Sequence, residues 1–162
     1  MEPRIIGLFV NPNGGVPKHS VETLRITPTG CVGDRQNDLK HHGGPTRAVC
    51  LMLDSVMEKL ISEGHPIGPG TTGENILIDG LEPSSLKDGI IVDLGNVRLQ
   101  ITGPAPPCKT IKDSFISGKF KALSHKFDPS QTRWYASVIV EGTVTTGQRV
   151  SLLSGSEQVG SQ

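Results

Sequence analysis

The chain has 162 residues, 16 Lys and Arg against 16 Asp and Glu, 35% hydrophobic residues and 4% aromatics. That length makes one ordinary domain, able to bury a core without a disulfide staple. Zero net charge and few aromatic stacking platforms argue against nucleic acid and an anionic membrane, so an anionic ligand has to be met by a local cluster of donors.

No stretch approaches the ~20 apolar residues of a membrane span. The apolar run in MEPRIIGLFVNPNGG is too short for a signal peptide, so the expectation is a cytoplasmic protein. With 20 glycines and 12 prolines, short strands and many turns are expected rather than a helical bundle. Residues 4–10 (RIIGLFV) predict a first strand, closed by the turn-forming run NPNGG, and residues 21–26 a second. Residues 29–47 are long, polar and glycine-rich, with no periodicity; inside a small domain such a loop is usually functional or disordered. Residues 48–53 (AVCLML) form a continuous apolar run, the signature of a buried strand. A helix follows. Ser55 and Glu58 have capping-box spacing, Val56, Met57, Leu60 and Ile61 share a face, and Gly64 stands where a helix-ending glycine belongs.

Residues 64–75 (GHPIGPGTTGEN) are a second glycine-rich loop, and Ile76 opens a strand. Residues 90–94 and 97–101 flank Gly95-Asn96, a two-residue hairpin signal. The proline-rich GPAPPCKTI then leads to Cys108, and a short helix is predicted over about 113–123. Strands are predicted at 134–141 and 149–153, with a disordered tail over 154–162. Many short strands, few helices and two long glycine loops predict a strongly bent sheet or barrel, with the loops gathered at one mouth.

Three widely spaced cysteines, Cys31, Cys50 and Cys108, fit neither a disulfide framework nor a cysteine zinc site. Cys108 is the strongest reactive candidate. It follows a strand on a platform stiffened by prolines, and Lys109 and Lys112 lie close in sequence, where they favour the thiolate. The competing reading is an inert buried thiol. Cys50, inside AVCLML, reads as core. In GDRQNDLKHHGGPTR, glycines allow backbone N–H groups to approach an anion, and Arg35, Lys40 and Arg47 can add charge-assisted bonds. His41 and His42 are adjacent and point opposite ways on an extended segment, which disfavours a shared metal. In TTGEN, Glu74 and Asn75 can equally be a turn and a strand cap.

These strings, taken in order (GDRQNDLKHHGGPTRAV, GHPIGPGTTGEN, PPCKTI, RWYASVIVEGTV), resemble the MOSC family, domains related to the C-terminal part of molybdenum cofactor sulfurases. The resemblance covers roughly residues 3–153 and is nearest to small stand-alone bacterial members. It implies a single domain over 1–153, folded as a mainly β barrel like that of pyruvate kinase with a few peripheral helices. It implies a molybdenum–pyranopterin cofactor, with Cys108 as metal ligand or sulfur acceptor and therefore the catalytic residue. His42, Gly43, Gly44 and Arg47 match the family's HGG-and-arginine motif, and Gly73, Glu74 and Asn75 its GEN motif. With Lys109 these are the implied cofactor-binding residues. Thr46, Ser137 and Gln148 depart from residues common in relatives, and Ala105 and Pro106 replace a more polar approach to the cysteine. The departures bear on contacts to the pterin phosphate, not on the fold.

The resemblance further implies reduction of N-hydroxylated compounds, such as hydroxylaminopurines and amidoximes, with electrons from an external donor protein. A soft thiolate suits a sulfur-ligated metal. The sequence holds no pyridoxal-phosphate desulfurase domain and no ferredoxin or flavin module. The alternative is a carrier that passes a persulfide or the cofactor onward from Cys108, loaded by a sulfur donor. A third reading is a binding module without chemistry.

Overall fold

The computed structural model describes residues 2–35 and 44–154. His42 and Gly43 of the HGG string, Lys40, His41 and the tail from residue 155 lie outside the described residues.

Strand β1 (Arg4–Val10) occupies the predicted residues. It is followed by the two-residue β2 (His19–Ser20), β3 (Thr23–Thr27), whose burial alternates, and β4 (Gly30–Cys31). Strand β5 (Val49–Leu53) is buried at every position, as its unbroken apolar run requires of a central strand. It runs directly into helix α1 (Asp54–Ser62). Then come β6 (Ile76–Asp79), β7 (Ile91–Asp93), β8 (Arg98–Ala105), β9 (Arg133–Val140), β10 (Gly142–Thr145) and β11 (Ser151–Leu153).

Eight strands form one sheet in the order β11-β7-β8-β9-β5-β6-β1-β2, and β10, β3 and β4 form a second. All pairings are antiparallel except β5 with β6, which α1 and the following loop connect as a crossover. The ends of the large sheet meet. Ile5 N–H donates to Gln148 O at 2.9 Å, Gly147 N–H to Ile5 O at 2.7 Å and Val150 N–H to Pro3 O at 3.0 Å. Arg4 bridges Arg149 just before β11 joins β7, so the sheet curls toward a barrel as predicted. Ile5, Leu8, Leu51, Leu53, Ile76 and Ile78 share one face of it, each 0% exposed.

Three local predictions are corrected. No side-chain cap holds the start of α1, because β5 enters it without a loop; Ser55 Oγ donates instead to Leu81 O. Val56, Met57 and Leu60 are buried, but Ile61 is 47% exposed, so the buried stripe is narrower than predicted. Gly64 ends the helix with φ +95, as expected. The helix predicted over 113–123 is three short 3-10 turns, Lys109–Ser114, Ile116–Gly118 and Phe120–Leu123. Extended Phe115 and left-handed Ser117 (φ +53) and Gly118 (φ +67) interrupt any α-helical run. The Gly95-Asn96 hairpin forms: Gly95 takes φ +86, Asp93 pairs with Arg98, and Leu94 N–H donates to Val97 O.

Candidate functional site

Where β8 ends and β9 begins beside the 70–75 loop, a cleft of about 200 Å³ opens to the surface. Cys108 stands at it, half-buried. Two residues separate it from the last residue of β8, both of them prolines with no N–H to tie into a ladder. Cys108 itself is extended (φ −135, ψ 169), and its carbonyl accepts Ile111 N–H to start the 3-10 turn that carries the exposed Lys109. Lys109 lines the cleft with Cys108; Lys112 does not.

Arg133 fixes this geometry. It is the first residue of β9 and lies opposite Ala105. Its guanidinium donates to Pro106 O at 2.9 Å, Ala105 O at 3.4 Å and Thr72 O at 2.6 Å. One buried fork therefore ties the approach to Cys108 to the opposing loop, a use of arginine's planar geometry that a lysine cannot reproduce. Tyr135, two residues along β9, faces the same cleft, with Cys50 opposite it on β5. Burial, the largest cause, and the nearby thiols hold the Tyr135 hydroxyl well above its usual pKa, so it keeps its proton. The Arg47 guanidinium lies 5.9 Å from the ring centre of Tyr135, a cleft residue. Gly44, just before the short 3-10 turn Pro45–Arg47, adopts φ +82 in open space, so its backbone angle, not a close approach, calls for glycine.

Gly73, Glu74 and Asn75 divide. Gly73 lines the cleft beside Thr72. Glu74, fully buried, turns away from it: its carboxylate accepts Gly70 N–H at 2.9 Å and Thr72 Oγ1–H at 2.8 Å. Asn75, 1% exposed, accepts Cys50 N–H and donates to Phe9 O and Asp34 Oδ2. Asp34 also receives Asn11 N–H and forms a 2.7 Å ion pair with Lys18, both side chains 5% exposed. Glu74 and Asn75 thus shape the loop that presents Thr72 and Gly73, and their side chains are not part of the lining.

The three thiols differ by burial. Desolvation pushes Cys31 up to about 12, reinforced by Asp34, and raises Cys50 as well. Both stay neutral at physiological pH. Cys50 is 5% exposed, yet it forms part of the cleft wall as well as core. The reading of the residues did not single out Lys18, Arg133 or Tyr135 as cleft residues. Arg133 and Tyr135 stand in the string RWYASVIV, but their place follows from pairing with β8 and β5, which local sequence does not carry. Among the described residues no group of three His, Cys, Asp or Glu side chains is arranged to hold a metal.

The family model described as MOSC domain matches residues 38–151. The uncharacterized protein YflK of Bacillus subtilis is 30% identical over 129 residues, 78% of this chain and 57% of YflK. The protein YiiM of Escherichia coli is 28% identical over 135 residues, 81% of this chain and 59% of YiiM. The chain therefore spans less than two-thirds of the length of these relatives. Among solved structures, the YuaD protein of Bacillus subtilis superposes with a TM-score of 0.74 at 17% identity, covering 95% of this chain and 97% of that one. The crystal structure of Escherichia coli YiiM gives 0.68 at 23% identity, covering 95% and 70%. These likenesses establish the fold.

Proposed function

The chain belongs to the MOSC domain family, and on that premise we propose that it is a molybdenum-cofactor protein that reduces N-hydroxylated compounds, with Cys108 as the protein's ligand to the metal. The observation that supports this most directly is the half-buried Cys108 thiol on a cleft that also carries Arg133, Lys109 and the Thr72–Gly73 backbone. The donor set suits the group. A soft thiol matches a sulfur-ligated metal, and cationic and hydrogen-bonding walls match an anionic pterin.

Cys108 would hold the metal, and Arg133, Lys109 and Arg47 would face the negative charge of the pterin. When bound, the cofactor supplies two-electron reduction of an N–O bond, with electrons from an external donor protein. The chain's own residues bind and orient. Arg133 keeps the proline approach to Cys108 against the 70–75 loop, so the thiol cannot drift from the wall. Tyr135 offers a hydroxyl that stays protonated at neutral pH.

The test is molybdenum and pterin analysis of gently purified protein beside Cys108→Ala, followed by anaerobic turnover with a hydroxylamine or amidoxime. Near-stoichiometric molybdenum that is lost in the variant, with turnover, is the expected result. Sulfane sulfur on Cys108 without turnover would move the assignment to a sulfur carrier. A Cys108→Ala protein that retains metal and activity would refute both.

A further inference from the structure

We propose that the segment over 112–127, next to the Cys108 cleft, is the docking surface for a small acidic electron-carrier protein. The chain is neutral overall, yet residues 109–126 hold five lysines and one carboxylate, Asp113. All five lysines are exposed, and none forms an ion pair among the described residues. Elsewhere the pattern is the reverse: Arg4, Lys18, Arg25, Lys59, Arg98 and Arg149 each pair with a carboxylate. A group of exposed like charges without counter-charges repels itself and raises the local potential, so an anionic partner stabilises it.

Large apolar side chains stand among these lysines: Phe127 is 71% exposed and Ile116 44%. The surface is built as one piece. An added Cβ on Gly118 would stand 3.8 Å from Lys112 Cβ, so the first two 3-10 turns pack together. Ile116 N–H donates to His65 Nδ1 at 3.1 Å and Lys59 reaches Asp128 at 3.4 Å, which fastens the segment to the end of α1. Ser114 Oγ donates to Thr71 O at 3.2 Å, so the same segment borders the 70–75 loop. A few exposed apolar anchors within a charged rim are the anatomy of an interface. No arginine stands in the segment. The hydrated, mobile charge of lysine speeds encounter without fixing the pair, which suits a small, transient electron-transfer contact.

The nature of the occupant rests on the reductase reading, which needs electrons from outside the chain. Reduction of a hydroxylamine takes two electrons and two protons and gives the amine and water. A one-electron carrier is therefore oxidised twice per turnover, and it has to dock and leave each time. Cys108 and Lys109 line the cleft just before the segment begins, so a carrier seated on it sits beside the reacting centre. Docking itself needs no molybdenum, so its failure and the failure of the reductase reading are separable.

The experiment titrates a strongly acidic plant-type ferredoxin into the full chain made without cofactor supply, with a basic c-type cytochrome as control. Saturable binding of the ferredoxin alone is expected, weakening about tenfold as salt rises from about 50 to about 200 mM. Combining Lys119→Glu, Lys121→Glu and Lys126→Glu should weaken it about 30-fold, through slower association. Phe127→Ser should weaken it about fivefold, through faster dissociation. These side chains are exposed and the lysines unpaired, so the variants keep the fold, and Lys109 is left unaltered because it lines the cleft. No ferredoxin binding, equal binding of the cytochrome, or wild-type affinity in either variant would overturn the proposal. So would lysine-dependent binding to phosphatidylglycerol vesicles without ferredoxin binding, which would make this a lipid surface. Turnover of a hydroxylamine by cofactor-loaded protein with reduced ferredoxin separates the two readings. Docking without turnover keeps the surface and counts against the reductase. Turnover at the wild-type rate in the lysine variant keeps the reductase and removes the surface.

Discussion

The loop over 70–75 and the segment over 105–111 face each other across the cleft and use their polar groups in opposite ways. In the first, Glu74 and Asn75 spend their side chains inside the protein, on Gly70, Thr72, Cys50, Phe9 and Asp34. In the second, two prolines and an extended cysteine leave a thiol and a lysine facing the cleft. One side is scaffold, and the other presents chemistry. A motif string can be equally recognisable in both, so recognising it does not say which side chains reach a ligand.

Asn75→Ala strikes the scaffold hardest. It removes the acceptor of Cys50 N–H and the donor to Phe9 O and Asp34, leaving buried groups unpaired. Urea unfolding should show a loss of about 3 to 4 kcal/mol. Gly70→Ala comes next. Gly70 has φ +82, and an added Cβ would stand 2.4 Å from Lys18 O and 3.2 Å from the Phe9 ring. The backbone has to shift, at about 2 to 3 kcal/mol.

Glu74→Gln is milder and sharper. One of its two accepted bonds survives, so about 1 to 2 kcal/mol should be lost, while molybdenum content per folded protein stays at the wild-type level. A loss of metal with an intact fold would make Glu74 a ligand-binding residue and erase the contrast. The smallest effect is on native thiol reactivity. At pH 8, iodoacetamide should label Cys108 alone, and all three cysteines only in denaturant, as counted by mass spectrometry. Cys31, held near 12, and Cys50, also raised by burial, have almost no thiolate at that pH. Labelling of Cys50 in the native state would show that the cleft opens to its floor.

Much of this was legible where the signal is local. The residues of β1, the unbroken apolar run of β5, the glycine that ends α1 and the Gly95-Asn96 turn are each set within a few residues of themselves. Cys108 was legible because prolines and a strand end frame it. The two-residue β2 and β4 carry no pattern to read, and β10 is hidden behind the longer β9. The 3-10 turns after Cys108 follow from left-handed backbone at Ser117 and Gly118, which the apolar spacing there does not announce. Arg133 was missed because its partners lie 27, 28 and 61 residues away in sequence. The Lys18–Asp34–Asn75 chain was missed for the same reason.

The bonds that join Pro3 and Ile5 to residues 147–150 also set an order of events during synthesis. The first strand leaves the ribosome early, but the partner that closes the barrel beside it is made some 140 residues later. Until then β1 can pair with β6 while its other edge near Arg4 waits. Closure over so long a loop is a late, slow step. Arg133 and Cys108 have both emerged before that closure. A chain ending before residue 147 should therefore leave Pro3 and Ile5 without these partners, although every residue that lines the cleft is already present.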